Sequence, residues 1–201
     1  DLKKFPLVSK YMNHNQGDTE VLLKFPFLSK ILFDQNIISI IRDYLGENSF
    51  LDYVSARSFI EYGDQSDYWH HDSVGHRIKI FLCINDQNET THTQIIPNTH
   101  KISYSSSGKT RFRNDQVENI NSKINVIGKK KDLLIFDTNI LHRGQYSSSP
   151  REIVQFEFSD SYKSLMLGHI GPRKSKFDKT IIKSPLISVK KINFFKDYVS
   201  Y

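Results

Sequence analysis

The feature that most constrains the fold is a change in the spacing of apolar residues after residue 46. Between residues 28 and 45 apolar side chains recur at three- and four-residue steps, as on one face of a helix. They are Leu28, Ile31, Leu32, Ile38, Ile41 and Leu45. Gly46 follows, and helices commonly end at such a glycine. The spacing therefore predicts a helix over 28–45 and a different kind of structure after it.

Beyond residue 46 the chain consists of short segments rich in β-branched and aromatic residues, separated by Gly, Asn, Asp, Ser or Pro. Such segments are typical of β-strands. They cover 50–61, 77–84, 94–97, 124–127, 133–137 and 151–158. The stretch 101–121 is polar and weakly periodic, which indicates a loop or lid. Many short strands after a leading helix predict a mainly β sandwich or barrel with helices on one face.

The positive charge of the chain lies in its C-terminal fifth. The 201 residues carry a formal net charge of +6, and residues 161–201 hold nine Lys or Arg against Asp178 and Asp197. Residues 1–160 hold the other 19 basic and 20 acidic residues and are nearly neutral. A neutral body gives no reason to expect nucleic-acid binding. The segment 161–201 also contains apolar residues, so we expect a basic C-terminal extension packed on the same domain as residues 1–160.

The cysteine content and the longest apolar stretch bear on where the protein works. Cys83 is the single cysteine, which fits a reducing compartment, and we expect a cytoplasmic protein. It lies in an apolar predicted strand, so it is predicted to be a core residue and not a nucleophile. Residues 21–33 are interrupted by Lys24, Pro26 and Lys30, so no membrane span is expected.

The sequence Trp69-His70-His71-Asp72 is the first candidate for chemistry. On extended backbone, residues two apart point to the same side, so His70 and Asp72 share a face and can be adjacent metal ligands. A histidine from a distant strand would complete two imidazoles and one carboxylate, an arrangement that suits Fe(II) holding a co-substrate and dioxygen. A bulge would shift the register and make His71 the ligand. Taken alone the pair is a weak signal.

A second candidate segment follows about 60 residues later. Residues 131–137 read as a strand, and the next residues lead to His142-Arg143-Gly144. Arg151 comes nine residues after His142 and opens the last predicted strand. Its guanidinium can form a two-pronged pair with a carboxylate, which a lysine cannot match.

These motifs together resemble those of the phytanoyl-CoA dioxygenase family of Fe(II)/2-oxoglutarate oxygenases. The resemblance spans residues 50–160, with WHHDSVGHRIKIFLCIND, TQIIPNTHK, GKKKDLLIFDTNILHRG and SPREIVQFEF in the family's order. It implies a double-stranded β-helix (jelly-roll, cupin-like) for residues 1–160, with helices packed on the larger sheet. It further implies that His70, Asp72 and His142 bind the iron and that Arg151 holds the distal carboxylate of 2-oxoglutarate.

The resemblance also implies the reaction. We expect a dioxygenase that uses Fe(II), 2-oxoglutarate and dioxygen to hydroxylate a small organic substrate, releasing succinate and CO2. Arg77 and Lys79 alternate on the strand after the metal motif, and the inward-facing one could contact 2-oxoglutarate or a substrate anion. Ser73 is a further candidate contact to the co-substrate. Asp72 favours hydroxylation, because halogenating relatives lack this carboxylate.

Two other classes of function remain open at the level of the sequence. One is a cupin-like metal enzyme that uses no 2-oxoglutarate. The other is a non-catalytic protein that binds its partner through the basic extension 161–201. For the leading hypothesis the expected partner is a small molecule, with an anionic substrate as one option, and no nucleic acid.

Overall fold

A computed structural model describes residues 21–59, 68–72, 75–101, 111–117, 119–120, 122–145, 149–160 and 183–187. Several sequence predictions fall outside these residues. They concern Ser73, most of the polar stretch 101–121, the end of the first predicted strand, and the extension apart from 183–187. Within the described residues, no helix is both long and apolar enough to cross a membrane.

The helical region precedes the strands and is divided into three parts. Helix α1 covers Val21–Lys24, a 3-10 helix covers Pro26–Phe33, and helix α2 covers Gln35–Leu45. The prediction of one helix over 28–45 is therefore wrong at Asp34. Its carboxylate accepts hydrogen bonds from the backbone N–H groups of Asn36 (3.0 Å) and Ile37 (3.2 Å), and a side chain that caps in this way begins a new helix. Gly46, with φ of 90°, ends α2 as expected.

The described part of the chain contains nine strands. They are β1 (Phe50–Phe59), β2 (Tyr68–His70), β3 (Arg77–Cys83), β4 (Thr93–Ile96), β5 (Arg111–Arg113), β6 (Ile124–Val126), β7 (Leu133–Asp137), β8 (Leu141–Gly144) and β9 (Arg151–Ser159). The six predicted strands are all present, with ends shifted by a residue or two. Strands β2, β5 and β8 were not predicted, because each is short and contains no β-branched residue.

The strands form two antiparallel sheets. The first has the order β1-β9-β3-β7 and the second β5-β2-β8-β4-β6. Neighbouring strands such as β3 and β9, or β4 and β8, are far apart in the sequence. The chain thus crosses repeatedly between sheets, and the prediction of a mainly β architecture with flanking helices is confirmed.

The first sheet is covered on one face by the helices. Val154, Phe156 and Phe158 of β9 belong to the same buried cluster as Ile41 and Leu45 of α2. The alternate residues of β9, among them Arg151 and Gln155, face the opposite side and line a cavity. This alternation, which the sequence of β9 predicted, separates an apolar core under the helices from a polar interior between the sheets.

A short C-terminal segment, 183–187, lies against the helices and β1. Leu186 is fully buried, its carbonyl accepts from the Leu51 N–H (2.7 Å), and the Ser184 hydroxyl donates to the Leu32 carbonyl (2.5 Å). At these five residues the C-terminal part of the chain packs on the body.

Candidate metal centre

The three residues predicted as metal ligands meet between the two sheets. His70, the last residue of β2, lies directly opposite His142 of β8 in the antiparallel register, and their ring centroids are 4.4 Å apart. Asp72 follows β2, and its backbone N–H donates to the Thr138 carbonyl (3.0 Å). One potential ligand atom from each of His70, Asp72 and His142 lies within 4.8 Å of the other two. The arrangement can therefore hold a metal ion.

The His142 ring is oriented so that one nitrogen is available to a metal. Its Nδ1 lies 2.8 Å from the Ile140 carbonyl and its Nε2 lies 3.5 Å from Asp72 Oδ2. Nδ1 is thus engaged by that carbonyl, and Nε2 is the nitrogen that faces Asp72. Histidine ligands are commonly fixed by a second hydrogen bond of this kind.

His70 is neutral at physiological pH, as a metal ligand must be. Burial, assisted by the nearby charges of His142 and Lys79, lowers the pKa of His70 to about 4, and the opposing effect of Asp72 is smaller. The imidazole therefore offers a lone pair and not a positive charge to the site at pH 7.

Asp72 is ionised for a different reason. Burial alone would raise its pKa, but Lys79 and His142 outweigh burial, and the pKa of Asp72 lies well below its ordinary value. Lys79 Nζ lies 2.5 Å from Asp72 Oδ2 and 3.7 Å from Glu157 Oε2. These two carboxylates overcome burial and raise the pKa of Lys79. The site thus holds a charged carboxylate beside a charged ammonium group.

His71 points away from this group. It is buried, its ring centroid lies 6.5 Å from that of Phe112, and its Nδ1 lies 3.0 Å from the Asp72 carbonyl. Phe112 packs against Trp69 in a separate apolar cluster. The strand alternation therefore holds without a bulge at this point, and His70 is the histidine that faces Asp72.

The cluster opens into a cavity of about 280 Å³, close to the lower end of the range for small-molecule sites. Both sheets contribute side chains to it. Its lining comprises Arg57, Phe59, Tyr68, His70, Asp72, Lys79, Phe81, Thr93, Arg111, His142, Arg143, Gly144, Arg151 and Gln155.

Arg151, the predicted co-substrate residue, lies in the wall of this cavity. It is 3% exposed, and its guanidinium carbon is 5.1 Å from the ring centroid of Phe59 and 5.7 Å from that of Phe81. Such positions over aromatic rings favour a cation. The structure therefore brings Arg151 into the same space as the three candidate ligands.

The two alternating residues of β3 have different surroundings. Lys79 lines the cavity, whereas Arg77 is absent from its lining. The Arg77 guanidinium donates to Glu157 Oε1 (2.7 Å) and pairs with Asp52. A register shift between Leu51 and Tyr53 is a β-bulge that accommodates Asp52. Arg77 is thus held by two carboxylates, and Lys79 is the β3 cation that the structure brings to the cavity.

Nothing in the sequence singled out Arg57, and Arg111 lies within the stretch 101–121 that was predicted to be a loop or lid. Arg57 lies in a predicted strand on the same face as Phe59, so strand alternation alone could have placed the two together. Arg111 lies on the short strand β5, where it is the direct partner of His70. Strand β5 contains no β-branched residue that would mark it, so this neighbour of His70 could not be found from spacing.

No family profile and no curated protein matches this sequence. Solved structures do match its fold. The HygX protein from Streptomyces hygroscopicus, in its apo form, is similar with a TM-score of 0.58 at 12% identity, over 79% of this chain and 77% of that one. HygX has also been solved with iron and with nickel and 2-oxoglutarate bound.

Two further structures extend the comparison. The epimerase SnoN, in complex with Fe3+, alpha ketoglutarate and nogalamycin RO, matches with a TM-score of 0.59 at 10% identity, over 79% of this chain and 73% of that one. EctD from S. alaskensis with bound Fe matches with a TM-score of 0.58 at 14% identity, over 70% and 55%. The double-stranded β-helix (jelly-roll, cupin-like) fold is confirmed, while the resemblance to phytanoyl-CoA dioxygenases stays a prediction.

Proposed function

We propose that this protein is an Fe(II)- and 2-oxoglutarate-dependent dioxygenase that hydroxylates a small organic substrate. The observation that carries the proposal is the meeting of His70, Asp72 and His142 in one cavity. Two imidazoles and one carboxylate leave coordination positions open for a co-substrate and dioxygen. Among proteins of this fold, HygX and SnoN have been solved with 2-oxoglutarate or alpha ketoglutarate together with a metal, which supports the same use of the site here.

The donor set fits ferrous iron. Nitrogen and carboxylate ligands suit iron, and both histidines can present a neutral nitrogen. His142 is fixed by its hydrogen bond to the Ile140 carbonyl. His70 is held opposite His142 by the pairing of β2 and β8. The second sheet thus holds the backbone of both histidines, and the hydrogen bond from the Asp72 N–H to the Thr138 carbonyl holds the backbone of Asp72.

Arg151 binds the distal carboxylate of 2-oxoglutarate in this proposal. It is buried in the cavity wall between Phe59 and Phe81, where a planar guanidinium can offer two parallel N–H groups to a carboxylate. The rings exclude water from that contact and so strengthen it. Lys79 neutralises Asp72 and lines the same cavity as Arg151, and Ser73 remains a candidate contact outside the described residues.

When bound, iron and 2-oxoglutarate supply the oxidising power, so that one atom of dioxygen enters the substrate as a hydroxyl, the other enters succinate, and CO2 is released. The protein positions the reactants and limits access of water. Phe81, Phe136 and Ile153 form an apolar cluster between the sheets, next to the charged residues of the cavity. This apolar cluster shields the inner side of the cavity from solvent.

The proposal is tested by measuring succinate formation. Protein supplied with Fe(II), 2-oxoglutarate and air is expected to form succinate, and Asp72→Ala is expected to abolish it. With the true substrate, the product gains the mass of one oxygen atom. Metal-dependent turnover of any substrate without 2-oxoglutarate would contradict the proposal and favour a cupin-like enzyme of another kind.

A further inference from the structure

The cavity is lined by many more cations than carboxylates. Arg57, Lys79, Arg111, Arg143 and Arg151 all contribute to its wall, whereas Asp72 is the single carboxylate among its described lining residues. An excess of positive charge in a partly enclosed space attracts anions and raises their local concentration. The question is which of these cations is available to a ligand.

Two of the five cations are committed to protein groups. Lys79 is paired with Asp72 (2.5 Å). Arg143 donates to Gln94 Oε1 and Asn114 Oδ1, both at 2.6 Å, and stacks over Trp69 at 4.7 Å. These contacts occupy the Arg143 guanidinium. In the proposed function Arg151 is occupied by the co-substrate, which leaves Arg57 and Arg111.

Arg57 faces the cavity from the first sheet. Its hydrogen-bond partners within the described residues are hydroxyls, with Nε 3.4 Å from Ser55 Oγ and one terminal nitrogen 3.4 Å from the Tyr53 hydroxyl. These are long hydrogen bonds without a compensating charge. Arg57 and Lys79 line the same cavity. Arg57 is half-buried, and an anion would satisfy it better than hydroxyls do.

Arg111 faces the cavity from the second sheet, at its mouth. It is the direct antiparallel partner of His70, so the two side chains stand side by side on one face. Arg111 is exposed, in contrast to buried Arg151. The described part of the chain provides it with no ion pair. Arg111 is thus a cation beside a proposed iron ligand and on the route from solvent.

We propose that the substrate carries an oxyanion group, a carboxylate, sulfate or phosphate, that is bound between Arg57 and Arg111. This inference rests on the proposed function and names the substrate class of that same site. Lys79 balances Asp72, and a divalent metal balances the two carboxylates of 2-oxoglutarate. Among the described residues, the guanidinium groups of Arg57 and Arg111 have no acidic partner, and two planar forks from opposite sheets can bind one oxyanion.

The experiment uses inorganic sulfate as the probe. Calorimetric titration of sulfate, at constant ionic strength and without oxygen, is done on protein loaded with Fe(II) and 2-oxoglutarate. Sulfate is expected to bind at one site, and Arg111→Gln and Arg57→Gln are each expected to weaken it at least about tenfold. Affinity for 2-oxoglutarate is expected to stay within about threefold. Thermal unfolding of each variant verifies that it is folded. If Arg57→Gln does not fold, Arg111→Gln decides the test, because Arg111 is exposed.

Arg113→Gln is the matched control, because Arg113 lies two residues along the same strand and pairs with Asp115 at 3.1 Å. It is expected to leave sulfate binding unchanged. The inference is overturned if sulfate does not bind, or if it binds equally to wild type and to Arg111→Gln. The role of Arg57 is also overturned if Arg57→Gln weakens the binding of 2-oxoglutarate instead of the binding of sulfate.

Failure of the proposed function gives a different result. In that case the protein binds neither Fe(II) nor 2-oxoglutarate, and sulfate is titrated into the protein alone. If sulfate then binds at one site, and this binding depends on Arg57 and Arg111, the anion site exists although the proposed reaction does not.

A second experiment measures succinate formation in the presence of pairs of compounds, an acid and the amide of the same carbon skeleton. The acids are expected to stimulate succinate formation, and the amides are not.

Discussion

His70 and His142 lie directly opposite each other in the antiparallel pairing of β2 and β8, with ring centroids 4.4 Å apart. They are separated by 71 residues in the chain. Because directly opposed residues project from the same face of a sheet, this pairing delivers two imidazoles to one side of Asp72. The candidate metal centre is therefore a consequence of strand register, and a slip of β2 by one residue would turn the His70 ring to the other face.

The two adjacent histidines provide a test of that register. His70→Ala is expected to lower the affinity for Co(II) or Fe(II) by more than about 100-fold, because loss even of an outer-shell partner commonly costs 10- to 100-fold. His71→Ala is expected to leave metal affinity unchanged in the folded protein, since its ring lies toward Phe112. Metal titration of both variants measures this. Exposed His76, which contacts Asp160, supplies a neutral control as His76→Ala. Equal loss in both adjacent variants would refute the register.

Arg151→Lys is expected to raise the dissociation constant for 2-oxoglutarate at least about tenfold, although charge is retained, because a lysine cannot form the two-pronged pair. Metal affinity is expected to be unchanged, since Arg151 is not among the candidate ligands. Equilibrium titration of 2-oxoglutarate into metal-loaded protein measures the difference. An unaltered constant would assign the distal carboxylate to another cation of the cavity.

Cys83 is expected to be unreactive in the native protein. It is 2% exposed, and burial raises the pKa of its thiol to about 11. A raised pKa leaves little thiolate at pH 8, and the thiolate is the reactive form. A colorimetric thiol reagent is expected to detect one thiol in denaturant and almost none, over minutes, without it. Rapid reaction of the native thiol would show that the interior of β3 is open to solvent.

Much of this architecture can be predicted from the sequence, because burying one face of a helix or strand makes apolar residues recur at regular spacing along the chain. The alternation along 151–158 separated the residues under the helices from those facing the cavity, and the structure agrees. Strands β2, β5 and β8 were missed because they are short and, unlike the equally short β4 and β6, contain no β-branched residue. The position of Arg111 beside His70 was not predicted, because it depends on pairing between distant segments.

The break at Asp34 shows how a local contact overrides a period. Apolar spacing continues across it, but the Asp34 carboxylate accepts from two backbone N–H groups. Asp34→Ala is expected to destabilise the fold by about 1 kcal/mol, the usual effect of losing such a cap. Asp34→Ser, which can still cap, is expected to retain most of that stability. Urea denaturation measures both, and an equal loss in the two variants would mean that capping is not the cause.

The complex of this protein with Fe(II) and 2-oxoglutarate tests the proposed iron site most directly. In an anaerobic titration of Fe(II)-loaded protein with 2-oxoglutarate, we expect a weak visible charge-transfer band that saturates at one equivalent. Asp72→Ala and His142→Ala are expected to abolish the band, while Arg151→Lys only shifts its midpoint to higher 2-oxoglutarate. If the band is absent in the wild type, or persists in Asp72→Ala and His142→Ala, these residues do not form the iron site.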